Sequence, residues 1–217
     1  MDSEPSHSFE KGFRMQIRSV ARPAARGAVA LALVLAVLQI TAPAHATNWG
    51  STACAGAPVN CISLGNNAYH VINWVGDQDI AGLQASHAWA RDNVYNPTDM
   101  VVYTDGGDPL PDVLAQDEPY GANGLVGWVE CPPNATEVGG SHPSRTCRGQ
   151  YLRYNATYAA TDFATETGRR HITCHEMGHT VGLRHRTTND SCITNTWPNP
   201  LPTTLAAHDI AHINAQY

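Results

Sequence analysis

The chain predicts an α+β domain, and three observations point that way. Short segments rich in aromatic and β-branched residues recur near 67–75, 100–104, 125–131 and 150–158. Two stretches, 79–93 and 203–217, carry apolar residues at helical spacing. Between them lies a histidine-rich run, 175–185, whose polar residues share one face only if the segment is helical.

Taken in order, residues 47–66 are rich in Gly, Ala, Asn and Ser and read as an irregular segment. Asn67 to Val75, with Tyr69, Val71, Ile72 and Trp74, predicts a strand. Asp79 to Asn93 predicts a helix with Ile80, Leu83, His87 and Ala90 on its apolar face, stopping before Asn96-Pro97. His87 on that face reads as a packed core residue rather than a ligand. Met100 to Thr104 predicts a short buried strand. Asp105 to Ala122, loaded with Asp, Gly and Pro, predicts a long loop whose carboxylates offer a structural Ca2+ a site, although a solvated acidic loop is the plainer reading. Leu125 to Cys131 and Gln150 to Tyr158 predict two further strands. A helix starting between Thr165 and Arg169 should run to Val181. Thr203-Thr204 can cap a last helix with Ala206, Ile210, Ile213 and Tyr217 on one face. His208 and His212 are four apart on it, but with no acidic base or third histidine at motif spacing they read as a polar helix face.

The chemistry concentrates in His175-Glu176-Met177-Gly178-His179-Thr180-Val181-Gly182-Leu183-Arg184-His185. On a helix His175 and His179 lie one turn apart, able to bind a single Zn2+, and Glu176 is positioned as a general base. Gly182 lets the chain leave the helix through a left-handed conformation and swing His185 back to the same metal. Three histidines leave a fourth zinc position open for water, as in catalytic rather than structural sites. A five-position pattern of this kind arises by chance in on the order of one chain in ten thousand, which outweighs the alternative of a solvated, histidine-rich surface helix.

Arg14, Arg18, Arg22 and Arg26 precede an apolar run from Ala28 to Ile40, and Ala44-His45-Ala46 supplies the small residues of a cleavage site. Residues 1–46 therefore read as a signal peptide cut after Ala46, and residues 47–217 as the exported domain. The apolar run is too short to span a bilayer comfortably, so no membrane association is expected after cleavage. The mature part has 8 arginines, no lysine and 16 acidic residues, a net charge of −8 with histidine neutral. That balance argues against nucleic acid as a partner. All six cysteines follow the cleavage site and read as three disulfides among 15 possible pairings. Proximity favours Cys54–Cys61 and Cys131–Cys147, leaving Cys174–Cys192.

With these residues in view, the chain resembles the metzincin zinc proteases, most closely the matrixin-like and snapalysin-like secreted enzymes of bacteria. The resemblance covers 67–217, and only the zinc motif is highly specific. It implies a twisted mixed sheet with two helices above the cleft and one C-terminal helix below. It also implies a secreted endopeptidase, a monomer with one catalytic Zn2+ on His175, His179 and His185, and Glu176 as base. The peptide substrate should lie extended along an edge strand, for which Leu125–Glu130 is the candidate, with Gly124 and Gly127 allowing close backbone approach. Two departures stand out. Metzincins place methionine in a turn below the metal where this chain has Ile193 within Ser191-Cys192-Ile193-Thr194, and Arg186 follows the third histidine. Snapalysins carry Asp as third ligand where this chain has His185. The competing readings are a metallohydrolase of other specificity, such as a cell-wall peptide amidase, and a catalytically silent zinc-binding module of the same fold.

Overall fold

The computed structural model describes residues 65, 67–104, 111–131, 137–139 and 146–217. The signal-peptide reading and the Cys54–Cys61 pairing lie outside the described residues. No helix among them is long and apolar enough to cross a membrane.

Among the described residues the chain forms a mixed five-stranded sheet, a separate two-stranded ribbon and three α-helices. In order these are β1 (Tyr69–Gln78), α1 (Leu83–Ala90), β2 (Val101–Tyr103), β3 (Val113–Glu118), β4 (Gly127–Glu130), β5 (Glu137–Gly139), β6 (Thr146–Arg148), β7 (Gln150–Asn155), α2 (Glu166–Thr180) and α3 (Ala207–Gln216). The sheet runs β2-β1-β3-β7-β4, and β5 and β6 make a separate two-stranded ribbon. Strands β2, β1, β3 and β7 are parallel neighbours, in register through pairs such as Ile72–Val113 and Ala115–Leu152. Only β4 is antiparallel, with Trp128 opposite Arg153. It closes one edge of the sheet and lies next to the helix that carries the histidines.

Two of these elements correct the sequence reading. The segment expected to be a loop from Asp105 to Ala122 holds β3, a central strand whose Val113, Ala115 and Asp117 point into the core. Its acidic residues serve the fold. Buried Asp112 accepts from the Val71 amide at 2.8 Å and buried Asp117 from the Ile80 amide at 2.8 Å. Two of the carboxylates that could have offered a Ca2+ a site are thus committed elsewhere, and Asp105 and Asp108 lie outside the described residues. Likewise Met100 to Thr104 is not a buried strand. It is the opposite edge of the sheet, with Val102 inside but Val101 and Tyr103 exposed.

Three smaller shifts concern element ends. The first helix begins at Leu83, because Gly82 enters it with φ 77°, and a π-helical turn, Arg91–Tyr95, extends it to Asn96. The strand expected to reach Tyr158 gives way at Asn155 to a 3-10 turn. The last helix starts at Ala207 rather than at Thr203-Thr204, since Asp209 supplies the cap by accepting from the Ala206 amide.

The core lies between sheet and helices. Ile72, Val113 and Leu152 of the sheet join Leu83 of α1 and Ile172 and Met177 of α2 in one buried cluster that also takes in Ile213 of α3. His87 packs inside it, 3% exposed, edge-on to the rings of Trp74 and Tyr154. Cys131–Cys147 ties the end of β4 to β6, and Cys174–Cys192 ties α2 to the loop that follows it.

Candidate metal centre

Helix α2 carries the histidines, and both of its ends are held. Thr165 caps the N-terminus, its hydroxyl accepting from the Gly168 amide at 3.0 Å. At the other end the backbone turns at Gly182, φ 101°, and the Leu183 amide donates to the Gly178 carbonyl at 2.9 Å. The last carbonyls are satisfied from elsewhere: Gln150 donates to Thr180 O at 2.8 Å and the Tyr217 hydroxyl to Val181 O at 3.0 Å. This exit brings His185 round to the two histidines of the helix.

The result is a triangle of imidazole nitrogens. The Nε2 atoms of His175 and His179 are 3.0 Å apart, those of His175 and His185 3.0 Å, and those of His179 and His185 3.1 Å. No other group of three or more potential ligands gathers this way among the described residues. The tautomers of two of them follow from their partners. His175 Nδ1 lies 2.7 Å from Cys192 O and His179 Nδ1 2.7 Å from Leu183 O. A carbonyl only accepts, so each Nδ1 carries the proton and each Nε2 presents a lone pair. Two lone pairs at 3.0 Å repel one another, and a cation between them removes the conflict. Nitrogens so spaced can all lie about 2.0–2.1 Å from one ion, the distance at which zinc takes imidazole. Carbonyl acceptors behind ligating histidines are also the usual outer support of such sites. The residues present therefore fit a zinc ion.

Electrostatics agree with this. Burial, reinforced by His179 and His185, holds His175 well below its usual range, and burial lowers His179 to about 3. Both rings are therefore neutral and able to ligate at neutral pH. Glu176 is 6% exposed, and burial pushes its carboxyl up to about 8 in the metal-free chain. Its Oε2 has no hydrogen-bond partner.

Glu176 and the three histidines line a cleft of about 860 Å3. Residues 124–129, including most of edge strand β4, form one wall, and Thr194 to Trp197 another. Gly127 lies against Glu176. A Cβ there would stand 2.7–2.8 Å from Cγ, Cδ and Oε1 of Glu176, so the bare backbone makes room for that carboxylate. Gly124 has φ 81° and open space where a Cβ would stand.

Ile193 occupies the turn beneath the helix. It is fully buried, and a Cβ on Gly178 would stand 2.3 Å from its Cδ1, so the missing side chain at Gly178 lets the turn come up against α2. Arg186 anchors the same loop, facing buried Asp209 of α3 at 3.4 Å and Asp190 at 3.3 Å. Sequence reading overlooked two residues of the cleft. His171 stands four before His175 on the same helix face, and its Nδ1 donates to Pro202 O at 2.6 Å. Trp197, 51% exposed, meets the His171 ring edge-on at 4.9 Å. The i, i+4 spacing of His171 could have revealed the first; nothing local marks the second.

No protein-family model matches the chain, and no curated protein does. Among solved structures it is similar to the crystal structure of myroilysin, at 10% identity and a TM-score of 0.44, over 71% of this chain and 86% of that one. A likeness of that extent decides neither the fold family nor the activity.

Proposed function

We propose that the chain is a secreted zinc endopeptidase of metzincin type, working as a monomer. The observation that carries this reading is the triangle of three Nε2 atoms beside the unpartnered carboxylate oxygen of Glu176. His175, His179 and His185 would hold the zinc, which when bound supplies Lewis acidity, acidifying water and polarising a carbonyl. Glu176 takes a proton from the attacking water and returns it to the nitrogen of the leaving amine. The low-dielectric surroundings raise its affinity for the proton, which makes it a stronger base once it is ionised. Edge strand β4, with unpaired backbone groups on its outer side, offers an extended peptide a place to pair along the cleft. The two disulfides suit an oxidising, extracellular setting.

Two measurements on the purified chain test the reading together. Elemental analysis should find zinc in the cleft, and digestion of denatured casein should stop on chelation. Glu176→Ala should keep the zinc and lose about a hundredfold or more of the activity, the usual contribution of a general base. A chain that takes up no zinc, or a variant as active as the wild type, overturns it. Cleavage confined to cell-wall peptides would instead favour the amidase.

A further inference from the structure

Helix α3 repeats part of the metal geometry. On α3, His208 and His212 stand one turn apart with Nε2 atoms 3.2 Å apart, ring centroids at 4.5 Å and planes crossed at 88°. The pair His175–His179 on α2 has values of 3.0 Å, 4.7 Å and 87°. One backbone spacing and one relative placement of the rings thus recur on two helices. Unlike the α2 pair, the α3 pair faces outward: His208 is exposed and His212 half-buried.

From this geometry we propose that His208 and His212 chelate a divalent transition-metal ion of the Zn2+, Ni2+ and Cu2+ class at a site separate from the cleft. Imidazole is the preferred ligand of those ions, and two nitrogens 3.2 Å apart can both reach one ion at about 2.0–2.1 Å. The remaining coordination positions face water, so the site binds reversibly and more weakly than three histidines would. The charges around it are mixed. Asp190 on the preceding loop acts on His208, and Asp209 and Arg186 both act on His212, Arg186 opposing a cation.

Binding there has a structural consequence. Asp209 follows His208 in the helix with its side chain buried, accepts from the Ser191 hydroxyl at 2.6 Å and pairs with Arg186. An ion bridging one turn of α3 therefore stiffens the helix that anchors the loop beneath the cleft. The inference stands on α3 alone and does not depend on the peptidase reading.

Equilibrium dialysis of the full chain against NiCl2 provides the test. The wild type should bind one ion more than the variant His208→Gln/His212→Gln. Each single variant should lose at least tenfold in affinity for that ion, because a chelate becomes a single-ligand contact. Nickel should also raise the wild-type melting temperature by a few degrees more than that of the double variant. His208 is exposed, so His208→Gln serves alone should the double variant fold poorly. Equal stoichiometry in wild type and variants, or single variants that bind as tightly as wild type, would refute the site.

Discussion

Glu176 has its place because Gly127 has no side chain. The two come from different elements, and the contact a Cβ would make, 2.7–2.8 Å to three atoms of the carboxylate arm, is closer than real Cβ atoms tolerate. The glutamate is the flexible partner, so Gly127→Ala should move Glu176 rather than unfold β4, where alanine is no worse than glycine. A displacement of about 1 Å at a reacting group can cost on the order of a hundredfold in rate. In the proposed peptidase kcat should fall tenfold to a hundredfold while KM and zinc content stay near wild type. A Gly127→Ala enzyme with unchanged kcat would mean that Glu176 does not act from the position seen here. Sequence alone could not have supplied this role. Gly127 and Glu176 are far apart in the chain, and a glycine in a strand suggests only that something approaches closely. The histidine motif was readable because its spacing is local: residues 175, 179 and 185 meet through one helix and one glycine turn.

Among the elements, α2 depends on the loop it precedes. Cys174 on the helix is bonded to Cys192, and the carbonyl of Cys192 accepts the Nδ1 proton of His175. The disulfide closes a loop with a sequence separation of 18, worth about 3 kcal/mol in the chain-entropy model. Replacing both cysteines with alanine should therefore lower the melting temperature and also free the acceptor that orients His175. Loss of such outer support commonly costs about 10- to 100-fold in metal affinity. Zinc competition against a chromogenic chelator separates the effects: a variant that melts earlier yet holds zinc as tightly as wild type would leave the bond a purely structural role. Helix α2 could be read in the sequence to within a residue at its C-terminal end, which Gly182 marks chemically, and only to the range Thr165–Arg169 at its start, where Thr165 proves to be the cap. Strand β3 could not. Its inward face carries Asp117 beside Val113 and Ala115, which blurs the apolar alternation, and Asp, Gly and Pro crowd the residues before it. Strand order is a tertiary property, so nothing local told Val101 and Tyr103 that they would lie at an edge.

Across the whole molecule, two buried histidines outside the cleft tie folding to pH. His70 lies under the exit of α2, its Nε2 2.9 Å from the Thr180 hydroxyl, and its Nδ1 has no partner. His87 sits among aromatic rings with Nε2 unpartnered. Burial lowers His70 to about 4, and burial, then Arg91 and His70, lower His87 to about 3. Both are neutral in the native chain. In the unfolded chain each returns to about 6.5. Between that value and the native ones the unfolded state binds more protons, so stability rises with pH across this window. The contribution is complete above about pH 6.5 and is lost as pH falls towards 4 and then 3. Each histidine can be worth a few kcal/mol, an appreciable share of the 5–15 kcal/mol typical of a domain. The metal-free chain should accordingly show a urea midpoint that falls steadily from pH 7.5 to pH 4.5. His175 and His179 act in the same direction and Glu176, raised to about 8, in the opposite one, so the comparison that isolates one group is His87→Phe, whose ring can take the same place against Trp74 and Tyr154. That variant should match or approach the wild type at pH 7.5 and lose less on acidification. Parallel curves for the two proteins over the whole range would show that His87 is not held neutral by the fold.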